Sequence, residues 1–190
     1  LIKRIAILLF LSFLAIAFTS NTNQLKAQVD NQYVIKAAFI YKFTKFITWK
    51  EPYSNNPEFI IGVLGDDSAI IPHLIHIAEL KQVKSRIIVI NRFAPGTIPP
   101  AKQIEYCDIF FVPKKYDYLA DDIFRVVDQT NTLLIGESGD FAERGGAINF
   151  IHKDNHINFE INRKTIESAN FKIDPQLLKL AVIIDDREGQ

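Results

Sequence analysis

Four short apolar runs, each continuous rather than alternating, constrain this chain most. They are Phe59–Leu64, Ile87–Ile90, Asp108–Val112 and Thr132–Ile135. A strand covered on only one face alternates apolar with polar residues, so an unbroken run implies burial on both. Between the runs lie stretches of helical length. Ala69–Leu80 and Tyr116–Asp128 are read as helices, the second with Leu119, Ile123, Val126 and Val127 on one face, and Ala101–Tyr106 as a shorter one. Strands alternating with helices predict parallel pairing and helices on both sides of a sheet. Upstream, Ile35, Phe39, Phe43 and Phe46 fall on one face of a helix expected from a cap at Asp30 to about Trp49, where Pro52 stops it.

The downstream pattern changes. Ile148–Ile151 and Ile157–Ile161 alternate, as in a half-buried antiparallel hairpin, with Asp154-Asn155 at the turn. Helices are expected at Lys164–Ala169 and Pro175–Ile184, with Pro175 in a first turn. The predicted fold is an α/β/α three-layer sandwich with a mixed sheet of about six strands. Its core is parallel, and the antiparallel C-terminal hairpin forms its edge.

Lys3 and Arg4 precede an apolar stretch, Ile5–Phe18, and residues 1–27 contain no acid. Fourteen residues at 1.5 Å rise reach only about 21 Å, short of the roughly 30 Å hydrocarbon core. Basic, apolar and then small residues describe a secretory signal peptide, with cleavage after Ala17 or, preferably, Ala27. Residues 28–190 then form one domain, exported and without a membrane span. A single cysteine, Cys107, excludes an intramolecular disulfide and a thiolate metal cluster, and as a residue beside a buried strand it is expected free and unreactive. Lys+Arg and Asp+Glu balance at 22 each, and no basic patch interleaved with aromatics points to nucleic acid.

Chemical motifs are sparse. Gly62-Val63-Leu64-Gly65-Asp66-Asp67 is neither a dinucleotide fingerprint nor a Walker loop, and its Asp pair suits a turn and helix start. Gly136-Glu137-Ser138-Gly139-Asp140 has Asp140 where a nucleophile elbow needs glycine. The pairs His73/His76 and His152/His156 lack a carboxylate at ligand spacing. No catalytic residue, metal or cofactor is expected. In parallel sheets, ligands meet the loops after the carboxyl ends of strands. That rule gathers Asp66, Lys114, Lys115, Phe141 and Arg144, with Gly145 and Gly146, as candidate partner- or ligand-binding residues. The loop Gly136–Gly146 is the longest of these, eleven residues with four glycines. Arg144 and the loop amides are expected to meet a partner or an anion, and charge reversal at Arg144 to leave the fold intact. The alternative is a loop whose glycines serve backbone geometry and whose Phe141 packs as a lid.

Several segments together resemble the YfiR (HmsC-like) family. They are Ile35-Lys36-Ala37-Ala38-Phe39-Ile40-Tyr41-Lys42-Phe43 with Phe46 and Trp49, then Ile61–Asp66 and Cys107–Val112. Gly136, Phe141, Ala142, Gly145, Gly146, Ile148, Asn149 and Phe150 follow the family's glycine-rich loop, Phe159–Asn162 its FEIN segment, and Leu177–Ala181 its final helix. Asp140 and Lys50 depart from the pattern, and the cysteine pairs of some members are missing. The resemblance implies a non-enzymatic periplasmic regulator that can dimerise. Such a protein binds and restrains the periplasmic part of an inner-membrane diguanylate cyclase, a cyclic-di-GMP signalling enzyme, or of a similar sensor. A second reading is a periplasmic small-molecule receptor, with its ligand at the carboxyl edge of the sheet, signalling to another membrane protein.

Overall fold

A computed structural model describes residues 31–49, 56–66, 68–127, 130–154, 156–169 and 171–184. The expected signal peptide (residues 1–27), Asp30, Lys50, Pro52, Asp67 and Asn155 lie outside the described residues. Helix α1 occupies residues 31–46 and gives way to β1 (Ile47–Thr48). Then follow β2 (Glu58–Leu64), α2 (Ile71–Leu80), β3 (Gln82–Val83), β4 (Arg86–Phe93), α3 (Ala101–Glu105) and β5 (Ile109–Val112). A 3₁₀ segment, Lys114–Leu119, leads into α4 (Ala120–Val127), β6 (Leu133–Gly136), β7 (Ile148–Lys153) and β8 (His156–Asn162). The chain closes with α5 (Arg163–Ser168), β9 (Lys172–Ile173), α6 (Pro175–Leu178) and β10 (Val182–Ile184).

The strands form an eight-stranded sheet in the order β10-β8-β7-β6-β5-β2-β4-β3, and a separate two-stranded ladder of β1 with β9. Strands β4, β2, β5 and β6 run parallel, as their unbroken apolar runs imply, and β7 joins β6 in parallel. Strand β8 pairs antiparallel with β7, and Asp154 takes the positive φ (51°) that the turn between them needs.

Alternate residues of the central strands enter two cores. Phe59, Ile61, Val63, Ile109, Phe111, Leu133 and Ile135 pack with Ile40 and Phe43 of α1 and Leu74 of α2. Ile60, Leu64, Phe110, Val112 and Leu134 pack with Ile104 of α3, Ile123 of α4 and Phe141. Helices thus cover both faces. Rings of α1 and the hairpin meet in the first core: Phe43 lies 5.0 Å from Phe159 and Phe39 5.4 Å from it.

Four expectations need correction. The sheet has eight strands rather than about six. The hairpin is not its edge, because β10 pairs in parallel with β8 (Val182↔Glu160, Ile183↔Ile161). The helix expected over Pro175–Ile184 ends at Leu178. Asp174 caps it, accepting from the Gln176 amide at 2.8 Å, but Val182-Ile183-Ile184 is a β-branched run that favours the pleated edge. Likewise α1 stops before Trp49, and Ile47 turns to pair with Ile173. Among the described residues, no helix is long and apolar enough to cross a membrane.

Candidate functional site

Parallel strands deliver the ends of β2, β5 and β6 to one rim, where the following loops touch. Gly65 (φ 84°) lies directly under Tyr116, so a Cβ there would stand 2.2 Å from the ring. Glycine is required at this position both for its backbone conformation and for the close approach. Asp66 follows on the exposed side.

The rim is organised around Glu137, the residue just after β6. Its side chain is only 3% exposed, and that of its ion-pair partner Lys36 is 7% exposed, with Nζ to Oε2 at 2.5 Å. The Lys114 amide donates to Oε1 at 3.0 Å, and the Tyr33 hydroxyl donates to the same oxygen at 3.4 Å. One carboxylate therefore ties α1 and the 3₁₀ segment to the end of β6. Burial, and then the neighbouring negative charge of Glu137, push the Tyr33 hydroxyl up to about 12. Pinned on this base, the side chains of Lys114 and Lys115 stand exposed, the Lys115 ammonium 4.9 Å from the centroid of the Tyr116 ring.

The loop Gly136–Gly146 does not stay on the rim. It is the β6-to-β7 crossover, and since Ile135 pairs with Ile148 it must return to the amino end of the sheet. Phe141 is fully buried at its centre, its ring pressed onto two glycines. A Cβ at Gly136 or Gly146 would come within 2.3 or 2.2 Å of that ring. Phe124 of α4 closes over Phe141 edge-on, at 5.1 Å. Arg144 lies against the start of α4. It donates to Asp117 and, at 3.1 Å, to Asp121; its Nε is 3.1 Å from Asp140, and its guanidinium lies 5.9 Å from the Phe124 ring centroid. The Ser138 hydroxyl also donates to Asp117.

The expected site residues therefore separate. Asp66, Lys114 and Lys115 are exposed at the carboxyl rim; Arg144 is half-buried with its charge matched inside the chain. Phe141 is core, while Gly145 and Gly146 stand at the amino end beside the start of β7. Sequence reasoning missed Tyr33, Lys36 and Glu137. One signal was available: Lys36 shares the apolar face of α1 with Ile40 and Phe43, and a lysine there needs a buried acid.

At the opposite end of the strands, Asp108 accepts from Arg86 Nη1 and Nη2 at 2.8 and 2.9 Å and from the Ile60 amide at 2.8 Å. Burial raises the Asp108 carboxyl despite these contacts, and it pushes the neighbouring Cys107 thiol up to about 12. Among the described residues, no group of three His, Cys, Asp or Glu side chains could hold a metal ion.

Comparison with known proteins adds the following. The ABC domain in complex with L-Trp from Streptococcus pneumoniae is similar at 12% identity and TM-score 0.48, covering 66% of this chain and 55% of its own. A conserved domain protein from Vibrio cholerae O1 biovar El Tor is similar at 14% identity and TM-score 0.47, covering 69% of this chain and 55% of its own. This chain thus spans little more than half the length of either. No curated protein matches it. A family model described as YfiR/HmsC-like matches residues 33–182.

Proposed function

This chain belongs to the YfiR/HmsC-like family, and from that premise we propose that it is a periplasmic, non-enzymatic regulator. It binds and restrains a membrane signalling protein, most directly the periplasmic part of a diguanylate cyclase. The observation that supports this reading is the Glu137-centred rim. Asp66, Lys114 and Lys115 are exposed there on loops fixed from beneath, the arrangement that lets a scaffold hold a recognition surface without prior ordering cost. Ser138 and Arg144, the residues nearest to catalytic types, are engaged with Asp117.

Export and processing are part of the proposal, and the intact mass of the mature protein is expected to begin near Gln28. Recovery of an uncleaved, membrane-embedded chain would refute that part. The binding part is tested by capture from detergent-solubilised membranes with the tagged mature protein. Wild type is expected to retain a diguanylate cyclase, and the double charge reversal Lys114→Glu/Lys115→Glu to lose it by about tenfold or more at unchanged circular dichroism. Equal capture by both proteins would move the surface elsewhere, and failure of wild type to retain any such enzyme would reject the partner class.

A further inference from the structure

A parallel β-to-β connection ordinarily carries a helix that covers the sheet beneath it. Here the β6-to-β7 crossover is an eleven-residue loop with a single buried aromatic, Phe141. The layer next to α4 is consequently incomplete at the amino ends of β6 and β7, and a cavity of about 370 Å³ remains between α4 and α5. Its floor is apolar and buried, from Leu134, Ala147 and Phe171, and Phe124 forms a half-buried wall.

Among the described lining residues, the uncharged polar side chains carry hydroxyls. Thr132 Oγ1 donates to the Ile104 carbonyl at 3.0 Å and Ser168 Oγ donates to the Thr165 carbonyl at 3.0 Å. The Thr132 hydroxyl has thereby committed its proton and has lone pairs with which to accept. The one charged residue among the described lining, Arg125, is exposed and paired with Asp122 one turn earlier. Among the described lining residues, no buried charge is present to compensate an ion entering the cavity.

We propose that this cavity is a binding site for a small, uncharged and mostly apolar molecule carrying a hydroxyl or amide donor. Its size and apolar lining with few polar groups match small-molecule sites in general. The site lies at the opposite end of the strands from the Glu137 rim, so it does not depend on the partner reading. It can be tested on purified protein with no membrane component.

The test is titration of the purified protein with N-phenyl-1-naphthylamine, a neutral fluorophore that brightens in apolar surroundings. Saturable one-site binding is expected. Ala169→Phe, at the half-buried end of α5 lining the cavity, is expected to weaken it by about tenfold or more. Ser168→Phe, at an exposed position on the same wall, is the second filling variant and decides the matter if the first fails to fold. 4-Phenylbutan-1-ol is expected to displace the fluorophore at about tenfold lower concentration than 4-phenylbutanoate. Absence of saturable binding, or unchanged affinity in the folded filling variant, would overturn the site. Equal displacement by the carboxylate would overturn the ligand class.

Discussion

Arg144 illustrates how a residue read as a surface charge acquires a different meaning from its neighbours. Three carboxylates, Asp117, Asp121 and Asp140, converge on it, and Phe124 lies beneath. Arg144→Glu would leave four acids together, so the change is expected to cost about 1–3 kcal/mol, beyond an ordinary surface substitution. Urea unfolding would measure the loss, and its reduction in high salt would confirm the electrostatic origin. Cys107 and Tyr33 give the chain a pH dependence of definite sign. Their ordinary values are 9.0 and 10.0, and both are raised to about 12 by burial. Between those limits the native state holds protons that the unfolded state releases, so stability is complete below about pH 9 and falls as pH rises. Cys107 is also expected to react slowly with a thiol reagent at neutral pH until denaturant is added. Stability flat from pH 8 to pH 11, or rapid labelling of native protein, would contradict these assignments.

Among the elements, the crossover loop couples glycine positions to one aromatic ring. Phe141→Ala is expected to cost about 3–5 kcal/mol as a buried aromatic truncation. Gly146→Ala is expected to destabilise because its methyl would meet that same ring. Since the two changes share one contact, Gly146→Ala in a Phe141→Leu background should cost clearly less than in wild type. Equilibrium unfolding of the four proteins gives the coupling directly. Elements with a strong local signal were legible in the sequence. The unbroken runs of β2, β5 and β6 report two-sided burial, and the α1 face reports its own period. What was not legible depended on distant partners. Val182–Ile184 reads equally as a helix end or a strand until Glu160–Asn162 supplies the hydrogen-bonded edge. Residues Lys36 and Glu137 are about a hundred positions apart, and no local pattern pairs them. The rule gathering loops at strand ends placed Asp66, Lys114 and Lys115 correctly on one rim. It could not tell that the longest loop leaves that rim to begin another parallel strand.

At the scale of the whole molecule, both ends of the described chain are built into one body. The single tryptophan, Trp49, stands edge-on to Phe59 at 5.2 Å and to Phe171 at 5.7 Å, and its indole donates to the Asp108 carbonyl at 2.9 Å. Its fluorescence therefore senses the start, middle and end of the domain at once. Urea transitions followed by tryptophan fluorescence and by far-ultraviolet circular dichroism are expected to coincide. Separate midpoints would mean that the α1–β9 junction opens independently of the sheet. The docking of α1 on the late hairpin also governs the order of assembly. Phe39 and Phe43 leave the ribosome more than a hundred residues before Phe150 and Phe159, the rings that cover them. The loop between them must close before any of that burial is gained, so the entropic cost precedes the reward. A nascent chain of this design has no finished core to fold around until the β7–β8 hairpin has been made, leaving α1 as an unsheltered apolar surface that holdase chaperones can grip in the meantime.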